Sequence, residues 1–371
     1  MRGKPHILVA ANGIDRSEAA IFAGLHRQGM RLSVIHDPII PPASLATLQE
    51  AGIECTALEV RSRIQASARR LIRKTVRLEE CDLVYAPLNR TLSAALAATR
   101  RRPVPVVGYR GTVGHLSRWD PACWLTYFHR RLSHIVAVSD AVADYLTGQA
   151  GIDPTRVTRI YKGHDPDWYA DLQPEQPLPA APAGTLTVAF AGRIRPVKGV
   201  PWLLKALQLI PADEPVRVFL IGEIADASVQ RLLDDPQLAG RVVALGQRAD
   251  AAALIGSCDV LAVPSVAREG LPRAAIEAMS QRIPVVATSV GGLPELVEDG
   301  RTGLLVPRCD SAAIAGALRR LRADPALRRS MGEAGCKRVA ERFHIRDTIN
   351  QYAELFQRLI AGGTSRSKCL F

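Results

Sequence analysis

Short apolar runs alternate with helical patterns along almost the whole chain, and this alternation constrains the fold more than composition does. Ile7–Ala10, Leu32–His36, Leu83–Tyr85, Val104–Tyr109 and Ile135–Ser139 read as strands, with helical segments such as Ser17–Gln28 and Thr91–Arg101 between them. The rhythm resumes at Leu186–Phe190 and runs through Arg217–Gly222, Val242–Gly246, Val260–Val263, Pro284–Ala287 and Leu304–Val306. Strand and helix in turn predict an α/β, doubly wound architecture. In such sheets ligands sit at the carboxyl ends of the strands. A segment containing Pro174, Pro177, Pro179 and Pro182 separates the two runs and reads as a linker. With 371 residues, two domains are expected. The first spans 1–172, the linker 173–185 and the second domain 186–343. Residues 344–371 hold a last helix, His344–Leu359, and a polar tail expected to be disordered.

Several classes are excluded early. No apolar stretch approaches the ~18 residues that a membrane-spanning helix needs. The run Ile7–Ala11 is too short for a secretory signal, so a cytoplasmic protein is expected. The seven cysteines contain no C-x-x-C pair and no histidine at metal spacing, which suits reduced thiols. The net charge is +12, and the residues up to Ala170 hold 23 basic against 15 acidic side chains. Nucleic acid, an anionic membrane and phosphorylated substrates are the partner classes such a charge attracts.

The most informative stretch runs from Val263 to Gly292 and reads strand, loop, helix, strand, loop. Pro272 suits the first helical position, where a missing N–H and a fixed φ do no harm. A helix N-terminus offers unpaired amides and partial positive charge, which favour phosphate. The donors would be the amides of Gly270, Leu271, Arg273 and Ala274, with Gly270 permitting close approach. Glu277, one and a half turns in, suits the two hydroxyls of a ribose. Glu269, in the loop before the helix, suits the group beyond the phosphates. Together they fit a nucleotide sugar, although glutamates near a helix start also serve the dipole alone. A second constellation follows the strand Leu186–Phe190: Gly192-Arg193, then Lys198-Gly199 leading into a helix. Two cations beside a permissive backbone suit a diphosphate, each charge-assisted bond contributing about 1.5–3 kcal/mol. Read alone, this is also an ordinary basic loop.

Arg61–Leu78 is the third. Its predicted helix gathers Ile64, Ala68, Leu71, Ile72 and Leu78 on one face and Arg63, Arg69, Arg70, Arg73, Lys74 and Arg77 on the other. Such helices lie on anionic membrane surfaces. With each basic residue contributing about 1 kcal/mol, half of them engaged gives roughly 3 kcal/mol, a reversible docking. The alternative is a helix packing its apolar stripe on its own core beneath a solvated basic face.

The string E-G-L-P-R-A-A-I-E-A-M, followed by I-P-V-V-A-T and G-G-L-P-E-L, resembles the signature of the family 4 retaining glycosyltransferases, whose paired glutamates have seven residues between them as Glu269 and Glu277 do. Gly192-Arg193 to Lys198-Gly199 is similar to that family's G-R-x-x-x-x-K-G, and Ile160–Asp165 to its I-x-N-G-x-D, with Lys162 and His164 as departures. The resemblance implies a GT-B fold, two Rossmann-like domains facing a cleft, with the nucleotide-sugar donor held by the second. It implies that Arg193 and Lys198 grip the diphosphate, that Glu277 binds the ribose, and that Glu269 positions the sugar. Gln247 and Arg248 would cover the base, largely through backbone, and Gly13 stands where the family often has a Gly-Gly loop. The family histidine after the Val104–Tyr109 strand is replaced by Arg110. His115 is the candidate for its role, and Arg110 could instead hold an acceptor acid or phosphate. Trp119, Trp124, Tyr127 and Phe128 follow, suited to a sugar, a lipid interface or the core.

The resemblance further implies a lipid-linked or glycan acceptor and a basic helix on the membrane. Arg69, Arg70, Arg73, Lys74 and Arg77 would therefore meet an anionic surface, with the enzyme peripheral on the inner face of the cell membrane of a bacterium, in lipopolysaccharide or surface-glycan synthesis. No acidic D-x-D pair is placed to hold a metal, so no metal or cofactor is expected beside the UDP- or GDP-linked co-substrate. The rival readings are a sugar-nucleotide epimerase, a phosphorylase, a silent nucleotide-sugar sensor, and a nucleic-acid binder. The last is disfavoured, and no nucleic-acid partner is expected, because the basic helix has no interleaved aromatics and no known nucleic-acid motif appears.

Overall fold

The computed structural model describes residues 4–367, which form two compact units: residues up to Gly163 together with those from Ile345 onward, and residues His164–His344. Each unit is a parallel sheet flanked by helices, as the alternation of the sequence predicts.

Unit one contains β1 (His6–Ala10), β2 (Arg31–His36), β3 (Glu54–Ala57), β4 (Leu83–Ala86), β5 (Val106–Arg110), β6 (Leu132–Ala137) and β7 (Val157–Arg159), in the order β3-β2-β1-β4-β5-β6-β7. Every adjacent pair is parallel. The central strands β1 and β4 are buried along their whole length, because helices cover both faces of the sheet. β3 is short, half-polar and largely exposed at one edge, and no apolar run marks it in the sequence. The helix Arg16–Arg27 opens with a capping box: Asp15 accepts from the Glu18 amide, and Glu18 accepts from the Asp15 amide. The last helix, Ile345–Ser367, belongs to this unit and continues to Ser367, through the polar stretch expected to be disordered. Its Tyr352 hydroxyl meets that of Tyr85 at 3.0 Å, and Ile349 packs against Gly24.

Unit two contains β8 (Leu186–Ala191), β9 (Val216–Ile221), β10 (Val242–Gly246), β11 (Val260–Val263), β12 (Val285–Thr288) and β13 (Gly303–Val306). Their order, β10-β9-β8-β11-β12-β13, is that of a complete doubly wound sheet whose direction reverses between β8 and β11. Its core includes Val188, Phe190, Leu203, Val218, Leu220 and Val286. The Pro-rich segment is not a free linker. The Glu175 amide bonds Asp250 at 2.8 Å and Arg217 bonds the Ala180 carbonyl at 2.5 Å, so the boundary lies earlier, between Gly163 and His164.

Candidate active site

The loops that follow β8 and β11 meet at the point where the sheet of unit two reverses. The β8 loop carries Gly192, Arg193 and Lys198, and the β11 loop carries Ser265 and Glu269. They are stitched by backbone: the Val266 amide bonds the Val197 carbonyl at 2.9 Å. Gly199 has φ +67, and a Cβ there would sit 1.9 Å from the Pro264 carbonyl oxygen. Only glycine permits that approach.

Glu269 is 6% exposed. Its Oε1 accepts from Lys198 Nζ at 2.6 Å and from Ser265 Oγ at 2.5 Å. Lys198 keeps about a quarter of its side chain in solvent, at 26%. A third loop, after β12, closes over the same glutamate. Gly291 has φ +54, and a Cβ there would lie 1.9 Å from the Glu269 carbonyl oxygen. Buried Thr288 donates to the Ser265 carbonyl at 2.5 Å. Three loops therefore hold one carboxylate and one ammonium at the carboxyl edge of the sheet. Ser265 and Thr288 escaped sequence reading. The only signal for Ser265 is its place four residues before Glu269 in the same loop.

The helix Arg273–Ser280 follows. Pro272 has ψ +121, outside the helical region, so it is the N-cap and the helix begins one residue later than expected. No side chain caps this terminus, which leaves its first amides directed to the same edge. Glu277 is mostly buried, at 13%, and pairs with Arg273 one turn earlier at 3.2 Å. Arg193 is more than half exposed and pairs with Glu223, at 3.1 Å, across the turn after β9. Gly192 and Gly222, both at positive φ, let those two turns touch. Gly246 also has positive φ. Beyond it Gln247 is exposed, while Arg248 is bound bidentately to Asp250 at 2.8 and 2.7 Å. That guanidinium holds the Asp250 carboxyl down at about 2. Arg248 is thus committed to its own loop, and any contact there falls to backbone.

Unit one disposes its predicted residues differently. Gly13 lies exposed after β1, and a Cβ there would meet nothing within 4 Å. Arg110 is corrected. It is 7% exposed, its guanidinium binds the Thr112 carbonyl at 2.9 Å and the Gly114 carbonyl, and it lies 5.2 Å from the Tyr127 ring centroid. It shapes the loop after β5, and with its guanidinium taken up there it does not support the expected hold on an acceptor acid or phosphate. His115 sits exposed midway along that loop, in the left-handed region at φ +64. Lys162 is tied to Asp15 at 2.6 Å and Glu18 at 3.4 Å. His164 stacks on Tyr169.

The basic helix is Ala66–Leu78, shorter than predicted because Ile64 lies outside it and is 79% exposed. Ala68, Ile72 and Val76 are buried, so its apolar stripe is spent on its own domain, and Leu78 is 66% exposed. Arg69, Arg70, Arg73, Lys74 and Arg77 are exposed. Exposed apolar side chains occur instead on the loops at the carboxyl edge: Ile39 after β2, Ile64 after β3, Leu88 after β4 and Trp119, at 95%, after β5. Of the other aromatics, Trp124 is half exposed and packs on Phe128, while Tyr127 is core. Among the described residues no helix is long and apolar enough to cross a membrane, and no group of three or more His, Cys, Asp or Glu could hold a metal ion.

Comparison with known proteins bears on the family and the fold. Residues 185–324 match the family model for glycosyl transferases group 1, and residues 11–168 match that for glycosyltransferase family 4. The chain belongs to the family 4, group 1 glycosyltransferases. It is 36% identical over 175 residues to D-inositol 3-phosphate glycosyltransferase of Mycobacteroides abscessus. That match covers 44% of this chain and 39% of the relative, well under half its length. Among solved structures, Anabaena Alr3699/HepE in complex with UDP superposes with a TM-score of 0.74 at 22% identity, covering 95% of this chain and all of that one. WaaG, a glycosyltransferase involved in lipopolysaccharide biosynthesis, gives 0.66 at 15% identity, over 94% of this chain and 99% of its own. These likenesses carry the fold, which is GT-B.

Proposed function

We propose that the chain moves a hexosyl or N-acetylhexosaminyl group from a nucleotide-diphosphate sugar to a lipid-linked or polysaccharide acceptor, with retention, in the synthesis of a bacterial surface glycan. The observation that carries this reading is the Lys198–Glu269 pair at the switch point of unit two, beside an uncapped helix N-terminus. Lys198, Arg193 and the amides at Gly270, Leu271, Arg273 and Ala274 would take the charge that grows on the departing diphosphate, as preorganised donors. Arg193 would exchange Glu223 for phosphate to do so. Glu269 would orient the sugar hydroxyls and face the positive charge at the anomeric carbon. Glu277 would bind the ribose, and Gly246 and Gln247 the base. No metal is invoked, since these cations supply the countercharge. The acceptor hydroxyl would attack from the leaving-group face, and His115 is the candidate to receive its proton.

The UDP in the Anabaena structure makes a uridine donor the first to try. The name of WaaG supports a surface-glycan acceptor. So do the apolar tips Ile39, Ile64, Leu88 and Trp119, which suit an apolar acceptor or an anionic membrane met peripherally. A second reading is a phosphorylated polyol acceptor, favoured by the name of the mycobacterial relative. Both are tested by incubating the protein with UDP-glucose, UDP-N-acetylglucosamine and GDP-mannose. One set of reactions receives a bacterial glycolipid fraction, the other inositol 3-phosphate. Nucleoside diphosphate release that depends on glycolipid, with the donor's anomeric configuration kept in the product by NMR, supports the first. Dependence on inositol 3-phosphate supports the second. Acceptor-free epimerisation of the sugar nucleotide would overturn both.

A further inference from the structure

The basic helix borders a cavity of about 770 Å³ whose walls carry seven arginines and, among the described residues, no acid. Arg69, Arg73 and Arg77 recur every fourth residue and form one stripe along Ala66–Leu78, roughly 12 Å long at about 1.5 Å per residue. Arg100, Arg101 and Arg102, just past the helix Asn89–Ala98, and Arg130, just before β6, close the other side. The floor is apolar, from Val76, Leu96 and Ala98.

Topology fixes where this lies. Arg77 precedes β4, Arg100–Arg102 precede β5, and Arg130 precedes β6. In a parallel sheet these positions share the amino edge, opposite the loops that carry Gly13, His115 and the exposed apolar tips. Arg69, in the first turn of the helix that follows β3, stands furthest from that edge, and the rest of the groove lies away from the surface used for the acceptor in the reading above.

Guanidinium groups cannot shed their charge at physiological pH. Seven of them around one concavity repel each other unless an anion completes the set. The lining His129 yields instead: burial, then Arg131 and Arg130, lower its pKa. Its Nδ1 already accepts from the Arg131 amide at 3.2 Å, as a neutral ring does. Planar forks on opposing walls suit tetrahedral oxyanions bound bidentately at several points. The volume is that of a small-molecule site, and one carboxylate would leave most of the arginines unmatched.

We propose that this groove binds a ligand presenting clustered phosphates, independently of the donor site in unit two. Those phosphates belong to a soluble polyphosphate, since the groove is a concavity away from the exposed apolar tips, and anionic lipid headgroups are the alternative the test must rule out. Inorganic tripolyphosphate is titrated calorimetrically into the full-length wild type, the Arg73→Ala/Arg101→Ala variant and Lys198→Ala. The expected result is a site weakened at least tenfold in the double variant and kept in Lys198→Ala. The matching Arg→Lys double variant, which keeps charge but loses the forks, should fall between and guards against a folding defect. Tripolyphosphate binding that is absent, or unchanged in the double variant, overturns the proposal. Flotation with phosphatidylglycerol against phosphatidylcholine vesicles assigns the source. Retention on the anionic vesicles that the double variant loses makes the ligand a headgroup and overturns the proposal, and equal retention of the two proteins supports it. Single-stranded RNA binding tighter than either at 150 mM salt, and lost in the same variant, would replace the ligand class and also overturn it. Because Lys198→Ala reports on the donor site separately, failure here leaves the transferase reading standing, and the reverse.

Discussion

Replacing Glu269 by glutamine changes one atom of the site and removes its charge. Oε1 of Glu269 accepts from both Lys198 Nζ and Ser265 Oγ. A bond to a charged group is worth about 1.5–3 kcal/mol and a neutral one about 0.5–1.5, so the exchange should cost roughly 1–1.5 kcal/mol of folding stability. Lys198 retains access to water at 26% exposure, which keeps the loss well below the ~3–5 kcal/mol of a stranded buried charge. For a unit of this size that is about 2–6 °C in Tm. If Glu269 also serves the transition state, kcat should fall by about 10²–10³. Nucleoside diphosphate affinity should stay within about threefold, because in the proposed site the phosphates would contact Lys198 and the helix amides and not the carboxylate. Coupled detection of nucleoside diphosphate release, with calorimetric titration of the diphosphate and a melting curve, measures all three. A Tm drop of the expected size with unchanged kcat would refute the catalytic argument and reduce Glu269 to a brace for Lys198.

Three further perturbations probe the frame around it. Gly199→Ala places a methyl 1.9 Å from the Pro264 oxygen at a positive φ, so it should cost more than ~2 kcal/mol and abolish donor binding, read by melting and titration. Asp250→Ala frees Arg248 and loses the bond to the Glu175 amide; Tm should fall with nucleotide affinity little changed, whereas a large affinity loss would show that Arg248 must be held for the base. Buried His134 has its pKa pushed down to about 4 by burial, with Arg358 and Arg156 adding to it. Its unfolded value is about 6.5. The folded state resists protonation, so stability is full above about pH 6.5 and declines as pH falls towards 4, by about 3 kcal/mol in all. Denaturation at pH 7 and 4.5 should show this slope, flattened in His134→Gln.

How far the sequence foretold this molecule depends on what kind of signal each part left. Buried central strands announce themselves as apolar runs, so β1, β4, β8 and β11 were legible, while edge strand β3, half-exposed and polar, was not. The Pro-rich segment has the composition of a linker, yet backbone bonds to Asp250 and Arg217 attach it to unit two, and nothing in composition reports such partners. The helix Ala66–Leu78 follows the expected period only at its centre, where Ala68 and Ile72 are buried with Val76 while Ile64 and Leu78 are exposed, and periodicity cannot say whether an apolar stripe meets a bilayer or a neighbouring sheet. The loops after β8 and β11 stood out through their resemblance to the family strings, since read alone the same residues also fit a helix start and an ordinary basic loop. What was missed is pairwise. Glu223 beside Arg193, Ser265 beside Glu269 and Asp250 beside Arg248 are contacts made by the fold, and so are those of Arg110, because an arginine at the end of a strand reads the same whether it points outward or closes the next loop on itself.

The most direct test of the account is thermal stabilisation of the protein by UDP, GDP, ADP and their sugars, with Glu277→Ala as control. A ligand at 100 times its dissociation constant adds about 2.7 kcal/mol to the folded state. The account predicts a clear rise in Tm with one nucleoside diphosphate, UDP being the first candidate, and loss of that rise in the variant. No shift with any nucleotide, or an equal shift in Glu277→Ala, would contradict a donor site at the carboxyl edge of unit two.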